Sequence, residues 1–352
     1  MARWTPTHLF DVPSPIIQAP MAGISTPALV AAVCQAGGLG SLSIGALPLP
    51  EARRVIAETR ALTDRPFNIN VFCHAPGRPD AAEAAAWLAY LTPLFAQFGA
   101  EPPTRLNEIY PSFLSDDRTL RLLLEERPAV VSFHFGLPPA DQIRALRDAG
   151  IRTLATATNP REAEWIEAAG IDAIVAQGIE AGGHRGMFDL EAEDERHSTS
   201  VLVRLLSRRT RLPLIAAGGI MDGAGITAAL ALGAAGAQLG TAFVLCPESA
   251  ASASYRAHLK SARADATRLT PVVSGRPARG LVNRLIQYGE AAGSPPPPLY
   301  PFAYDAAKQL NAAAVRHGNF DFAADWAGQG APLARELAAS DLVRTLIEET
   351  RI

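Results

Sequence analysis

Short apolar segments recur along the chain, each bounded by glycine, proline or asparagine, with alanine-rich stretches of helical periodicity between them. This pattern is typical of buried parallel strands joined by crossover helices. It predicts eight strands, over 15–21, 39–45, 67–72, 129–135, 152–158, 173–177, 212–217 and 235–242. Eight βα units favour an α/β fold of the (β/α)8 TIM-barrel class over an open doubly wound sheet.

The predicted helices end in similar short motifs. The segments 26–36, 140–149, 161–169 and 224–232 are followed by AGG, AGI, AGI and LGA, respectively. A glycine after the last helical turn supplies the left-handed residue that lets the chain enter the next strand. These motifs support the same βα repeat.

Two parts of the chain lie outside the repeat. Segment 74–128 is longer than one crossover helix requires, and predicts a helical insertion after the third strand. Residues 250–352 follow the last strand and form a C-terminal helical extension. We therefore expect one domain over 1–352, with the barrel over about 15–249.

Composition narrows the class of protein. The 352 residues are 48% hydrophobic with a formal net charge of -3 and no basic run, so neither nucleic acid nor an anionic membrane is an expected partner. Three scattered cysteines give neither a disulfide framework nor a metal site. No leader-like or membrane-length apolar segment is present, which indicates a cytoplasmic protein. We expect the protein to be a monomer or a homodimer.

Glycines mark the ends of the seventh and eighth strands, where TIM barrels commonly hold phosphate. Backbone N–H groups can approach an anion there, and a following helix N-terminus adds favourable charge. The alternative is that these glycines only permit tight turns. The candidate phosphate-binding residues are Gly218, Gly219, Gln238, Leu239, Gly240 and Thr241.

The sixth strand ends at Gln177 and runs into a glycine-rich loop that includes Gly182 and carries His184. An imidazole between glycines at this end of a strand can exchange a proton or donate a hydrogen bond to a flat ligand. A loop histidine is more often simply solvated, but this position favours a catalytic role for His184.

Three other strand ends carry polar or small residues. His134 alternates with Phe133 and Phe135, so it would point into the barrel mouth if both rings pack outward; a buried structural histidine is an equal alternative. Asn70 is a candidate to bond a cofactor ring. The small residues after the first strand could lie against a flat heterocycle, although Met21 could be core filling. This last set is Pro20, Met21 and Ala22.

A late segment predicts a helix opened by Pro301, with Tyr300, Tyr304 and Lys308 close to one stripe at i, i+4 and i+8. Two phenols and an ammonium suit an anionic substrate that carries a carboxylate. An amphipathic surface helix is the alternative from these residues alone.

Four motifs together resemble nitronate monooxygenases of class I, also called 2-nitropropane dioxygenases. They are QAPMAGISTPAL at 18–29, AQGIEAGGHRG at 176–186, AAGGI at 216–220 and QLGTAF at 238–243. The resemblance runs from about residue 15 to residue 308. These flavin motifs are shared with FMN-type enoyl-ACP reductases and some NADH:quinone reductases, so they indicate the cofactor better than the reaction.

The resemblance implies that FMN and O2 oxidise an alkyl nitronate, chiefly propionate 3-nitronate, to an aldehyde with release of nitrite or nitrate. It also implies that His184 lies near the flavin, and that Lys308, the two tyrosines and His134 position the substrate. By the same resemblance, the residues that hold FMN include Asn70, Gln177, Gly182, Gly219 and Gln238 through Thr241. The first alternative is an FMN reductase that uses NAD(P)H on a quinone or enoyl thioester. A Schiff-base lyase would need a lysine on an inner strand, and neither Lys260 nor Lys308 lies on one. A non-catalytic flavin protein is the third alternative.

Overall fold

A computed structural model describes residues 9–350 of the chain. All eight predicted strands are present and pair in parallel. They are β1 (Ile16–Gln18), β2 (Ser41–Ser43), β3 (Asn68–Phe72), β4 (Val130–His134), β5 (Arg152–Ala157), β6 (Ala173–Gln177), β8 (Leu214–Ala217) and β9 (Gly236–Leu239).

The sheet closes into a barrel. Its strand order is β1-β9-β8-β6-β5-β4-β3-β2. Its two end strands meet through a parallel bridge between Ile17 and Leu39. Leu39 donates a hydrogen bond to Ile16 and accepts one from Gln18, both over 2.9 Å. The predicted α/β barrel is therefore confirmed.

Helices alternate with the strands as predicted. Those in the described residues are α1 (Pro27–Gln35), α2 (Leu49–Leu62), α3 (Ala81–Ala96), α4 (Arg118–Glu126), α5 (Ala140–Asp148), α6 (Pro160–Ala168), α7 (Thr199–Leu206), α8 (Gly223–Leu232), α9 (Ala253–Leu259), α10 (Arg284–Gly289), α11 (Phe302–Val315) and α12 (Ala339–Glu349). The glycines predicted to end helices have left-handed backbones, with φ of 97° at Gly37, 81° at Gly150, 77° at Gly170 and 113° at Gly233. The sequence motifs thus mark real turns from helix to strand.

The apolar core has two layers, one between the strands and the helices and one inside the barrel. Side chains such as Ile69, Val131 and Ile174 alternate outward and pack under the helices. Their neighbours Val130 and Val175 belong to a separate cluster inside the barrel. This alternation leaves the carboxyl ends of the strands as the place where polar groups gather.

The helical insertion and the C-terminal extension pack against each other. Trp87 and Leu91 of α3 share a buried cluster with Leu285 of α10, Leu310 of α11 and Phe322. Contact between these two parts brings α11 beside the barrel mouth. The domain boundaries themselves stay a prediction.

A second, three-stranded sheet was not predicted from the sequence. It has the order β10-β11-β7, where β7 is Gly183–His184, β10 is Thr267–Thr270 and β11 is Ala278–Leu281. The pairing of β7 with β11 fixes the glycine-rich loop after β6 to the extension. Between residues 9 and 350, no helix has the length and apolar character needed to cross a membrane.

Candidate active site

A cavity of about 440 Å³ opens at the carboxyl ends of the barrel strands, a size typical of small-molecule sites. Every predicted site residue except Leu239 lines it. The lining set is Pro20, Met21, Ala22, Asn70, His134, Gln177, Gly182, His184, Gly218, Gly219, Gln238, Gly240, Thr241, Tyr300, Tyr304 and Lys308. Leu239 is 1% exposed and packs in the core, because side chains alternate along β9.

His184 is held in place by its ring and its backbone. Its Nε2 atom lies 2.9 Å from Ser274 Oγ, and that hydroxyl donates to the carbonyl of Arg276 over 3.1 Å. Ser274 therefore accepts from His184, which assigns the ring proton to Nε2. The Nδ1 atom of His184 has no partner among the described residues, so it is available to accept a proton or a hydrogen bond.

His134 and Gln177 support this loop. His134 Nε2 donates to the carbonyl of His184 over 3.1 Å, while its Nδ1 accepts from Thr156 Oγ1 over 3.0 Å. Gln177 donates to the same carbonyl over 3.0 Å and accepts from Gly186 N over 2.8 Å. Both side chains are thus occupied by protein groups, although they reach the cavity wall.

Both imidazoles are neutral near pH 7. Burial lowers the pKa of His184 to about 3, helped by the nearby His134 and Arg276. Burial likewise lowers the pKa of His134 to about 4 against the effect of its hydrogen bond to His184. A neutral His184 with an available Nδ1 atom can accept a hydrogen bond or a proton, and its lowered pKa makes it a weaker base than a solvent-exposed imidazole.

Of the two phenylalanines beside His134, only Phe133 packs outward. Phe133 does pack outward, with its ring 6.1 Å from that of Phe113. Phe135 lies just after the strand with φ of 77°, which breaks the alternation and turns its ring into the cavity wall. Its ring centroid lies 4.4 Å from that of His134 and 5.6 Å from that of His184.

The predicted late helix begins later than expected. α11 starts at Phe302, so Tyr300 precedes the helix, whereas Tyr304 and Lys308 lie one turn apart on it. All three nevertheless line the same cavity. The Nζ atom of Lys308 lies 5.2 Å from the ring centroid of Tyr304 and 5.4 Å from that of Tyr110. Within residues 9–350, no carboxylate lies within 4 Å of this ammonium, which leaves it available to an anion.

Trp326 completes the aromatic wall. Its ring lies 5.2 Å from that of His184 and 6.2 Å from that of Tyr304. Tyr255 donates a hydrogen bond to the Trp326 carbonyl. Sequence reasoning missed Trp326, Tyr110 and Phe135, because no motif connects residues so far apart in the chain.

The glycine-rich end of the cavity presents unused backbone donors. The N–H groups of Gly182, Gly219 and Gly240 donate no hydrogen bond to any described residue. They come from the loops after β6, β8 and β9, and such amides favour an anion.

The N-terminus of α8, the helix expected to favour an anion here, is capped by carboxylates. Asp222 caps α8 by accepting from Gly225 N over 2.8 Å, and Glu349 accepts from Gly223 N over 3.0 Å. These carboxylates occupy two of the N–H groups in the first turn of α8. The extension instead adds Gly328 and Gly330, which lie in the motif AGQG at 327–330, a glycine signal that sequence reading overlooked.

Some polar groups of the cavity wall near β1, β3 and β9 already have hydrogen-bond partners in the protein, and others do not. Asn70 donates to the carbonyl and hydroxyl oxygens of Ser132, both over 3.1 Å, so its side-chain oxygen remains for a ligand. The Gln238 side chain makes no hydrogen bond with any described residue and lines the cavity. Met21 N donates to Ser25 Oγ over 3.0 Å, which fixes the turn after β1.

A closed barrel with glycine-rich loops, an imidazole and an ammonium around one cavity is typical of α/β-barrel enzymes. Comparison with known proteins narrows this class. The nitronate monooxygenase family model matches residues 5–349. The chain belongs to the nitronate monooxygenase family and is an oxidoreductase.

Relatives agree with this assignment over nearly their whole length. A nitronate monooxygenase of Pseudomonas aeruginosa is 62% identical, with 98% of each chain covered. One from Paraburkholderia phytofirmans is 59% identical, over 97% of this chain and 94% of the relative. The crystal structure of a nitroalkane oxidase from Streptomyces ansochromogenes has a TM-score of 0.88 and 40% identity, and covers 98% of this chain and 97% of that one.

Proposed function

We propose that this enzyme uses FMN and O2 to oxidise alkyl nitronates, propionate 3-nitronate foremost, to an aldehyde with release of nitrite or nitrate. The observation that carries the proposal is one cavity that holds a neutral imidazole, His184, and an ammonium, Lys308, that has no ion pair among residues 9–350. Membership of the nitronate monooxygenase family supports the reaction class.

FMN fits the residues of the cavity. The family is flavin-dependent in general. The unused amides of Gly182, Gly219 and Gly240 suit the phosphate. Asn70 and Gln238 offer amide groups for the polar edge of the ring system, and the small residues after β1 leave space for a flat surface. When bound, FMN would supply the electron-transfer chemistry between substrate and O2.

The residues of the chain would bind and orient the substrate. Lys308 would attract its carboxylate, and the hydroxyls of Tyr300 and Tyr304 would donate hydrogen bonds to it. Burial keeps both phenols protonated, raising the pKa of Tyr304 to about 12 and that of Tyr300 still further. The aromatic wall would exclude water from the reacting carbon.

His184 would contact the reacting end of the substrate. Its Nδ1 atom can accept the carbon proton of a neutral nitroalkane, whereas a preformed nitronate needs no base. His134 and Gln177 would act through His184 by holding its carbonyl.

The first test is oxygen uptake by the purified protein with propionate 3-nitronate, run beside anaerobic mixing with NADH or NADPH. Fast oxygen uptake without flavin reduction by the nicotinamides is expected. Rapid reduction by a nicotinamide with no nitronate turnover would instead identify a reductase of quinones or enoyl thioesters.

We further propose that residues 1–352 act as one domain in the cytoplasm, as a monomer or homodimer. The three cysteines support a reducing compartment, since each is buried and unpaired. Size-exclusion chromatography with light scattering tests the oligomeric state.

A further inference from the structure

Arg276 is a buried guanidinium that forms no ion pair with any described residue. It is 3% exposed and lies in the turn between β10 and β11. One nitrogen donates to the Met187 carbonyl, whereas Nε has no partner. Within residues 9–350, no carboxylate lies within 4 Å of it. Burying an unpaired charge is costly, so its presence beside a functional cavity points to a role there.

One aromatic ring separates this charge from the cavity. The Cζ atom of Arg276 lies 4.1 Å from the ring centroid of Phe135, which lines the cavity beside His134 and His184. The left-handed backbone of Phe135 is uncommon for an aromatic residue and is retained mainly where a site demands it. The Phe135 ring thus lies between the guanidinium of Arg276 and the imidazole of His184.

The charge of Arg276 acts on the groups around it. Burial is the main cause of the lowered pKa of His74, His134 and His184, and the charge of Arg276 lowers each of these pKa values further. The negative charge of Glu162 offsets it in part without forming an ion pair, since the carboxylate oxygens accept hydrogen bonds from Thr158 and Phe188 instead. In a buried environment the effective dielectric constant is low, so a positive charge attracts an anion over several ångströms.

We propose that Arg276 is a specificity-determining residue, a buried cation that favours an anionic nitronate over the neutral nitroalkane at the His184 side of the cavity. This inference rests on the proposed function and deepens it. It assigns the negative nitronate group to Arg276, acting through the ring of Phe135, and leaves the carboxylate to Lys308. Arg276 does not line the cavity, so it acts by its charge and not by direct contact.

The test uses inorganic nitrate, a planar monoanion that resembles the nitronate group and carries no carboxylate. Its binding to the purified holoenzyme is measured by titration calorimetry for the wild type, Arg276→Gln, Arg276→Met and Arg276→Lys. We expect the two neutral variants to bind nitrate roughly tenfold more weakly, and Arg276→Lys to remain within about threefold of the wild type. The matched control is Arg279→Met, since Arg279 is also buried but bonds to Ile179 and Thr267 instead.

Kinetics provide a second readout. In Arg276→Gln the KM for ethyl nitronate should rise about tenfold, while the KM for nitroethane stays within about twofold. Wild-type nitrate affinity in Arg276→Gln, equal losses in Arg276→Gln and Arg276→Lys, or no nitrate binding by the wild type would each overturn the proposal. If the enzyme oxidises no nitronate, the proposed function fails, yet the calorimetry still tests the charge of Arg276.

Discussion

His134 donates a hydrogen bond from Nε2 to the backbone carbonyl of His184 over 3.1 Å, so one histidine of the cavity positions the other. The second nitrogen of His134 is bonded to Thr156. From the sequence, His134 was expected to bind substrate. Its hydrogen bonds favour a positioning role instead.

Replacing His134 distinguishes these two roles. His134→Ala removes one of two donors to the His184 carbonyl, so the free energy of unfolding should fall by about 1–2 kcal/mol. We expect kcat/KM to fall roughly tenfold as the loop shifts, with partial recovery in His134→Gln, whose amide can reach the same carbonyl. Urea denaturation and steady-state kinetics measure both effects. Unchanged stability with a large rise in KM alone would restore the substrate-binding role.

His184→Gln tests proton abstraction. The glutamine amide can reach Ser274 Oγ, the partner of the imidazole Nε2, but cannot accept a proton. We expect kcat/KM for nitroethane to fall by about 100-fold or more, with only a few-fold loss for preformed ethyl nitronate. Equal losses on both substrates would count against His184 as a base.

The two lysines of the chain form a matched pair for mutation. Lys308→Met should raise the KM for propionate 3-nitronate by roughly tenfold to 100-fold and affect ethyl nitronate much less, because only the former carries a carboxylate. Lys260 is exposed, bonds to Glu336 and lies away from the cavity. Lys260→Met should therefore leave both KM values unchanged. Similar effects of Lys308→Met on the two substrates would contradict a carboxylate-binding role.

Much of the barrel was predictable because its signals are local. Each strand is a short apolar run, and each helix ends at a glycine such as Gly37 or Gly233 whose left-handed backbone the motif anticipates. The positions of His184 and Lys308 followed from strand ends and from the family motifs. These features depend on neighbours in sequence.

The features that were missed depend on contacts between distant segments. The pairing of β7 with β11 joins residues about 95 positions apart, and Trp326 reaches His184 from the extension. Alternation could not place Phe135, because it assumes that the strand continues, whereas the backbone turns left-handed there. Leu239 was assigned to the site with its glycine neighbours, although its side chain points into the core.

Gly182 provides a test of the FMN site. A Cβ atom there would lie 2.5 Å from Gly328 N, so Gly182→Ala must separate the loop after β6 from the extension. We expect the purified variant to retain less than about half of the wild-type flavin, as judged by the ratio of flavin to protein absorbance. Gly99→Ala is the control for backbone strain without a clash, since a φ of 60° disfavours alanine but open space surrounds Gly99. A full complement of flavin in Gly182→Ala would remove this loop from the FMN site.

The buried imidazoles predict how stability depends on pH. The pKa values of His74 and His134 are lowered to about 4 and that of His184 to about 3, against about 6.5 in an unfolded chain. Between pH 6.5 and 4 the unfolded chain therefore binds protons that the folded chain does not. The stability is complete above about pH 7 and falls with acidification, by about 1.4 kcal/mol per pH unit for each histidine. Urea denaturation at pH 7.5 and 5.5 measures this slope. His74→Phe should reduce the slope by about 1.4 kcal/mol per pH unit, the contribution of one histidine. Parallel curves for the wild type and His74→Phe would show that His74 titrates normally in the folded protein.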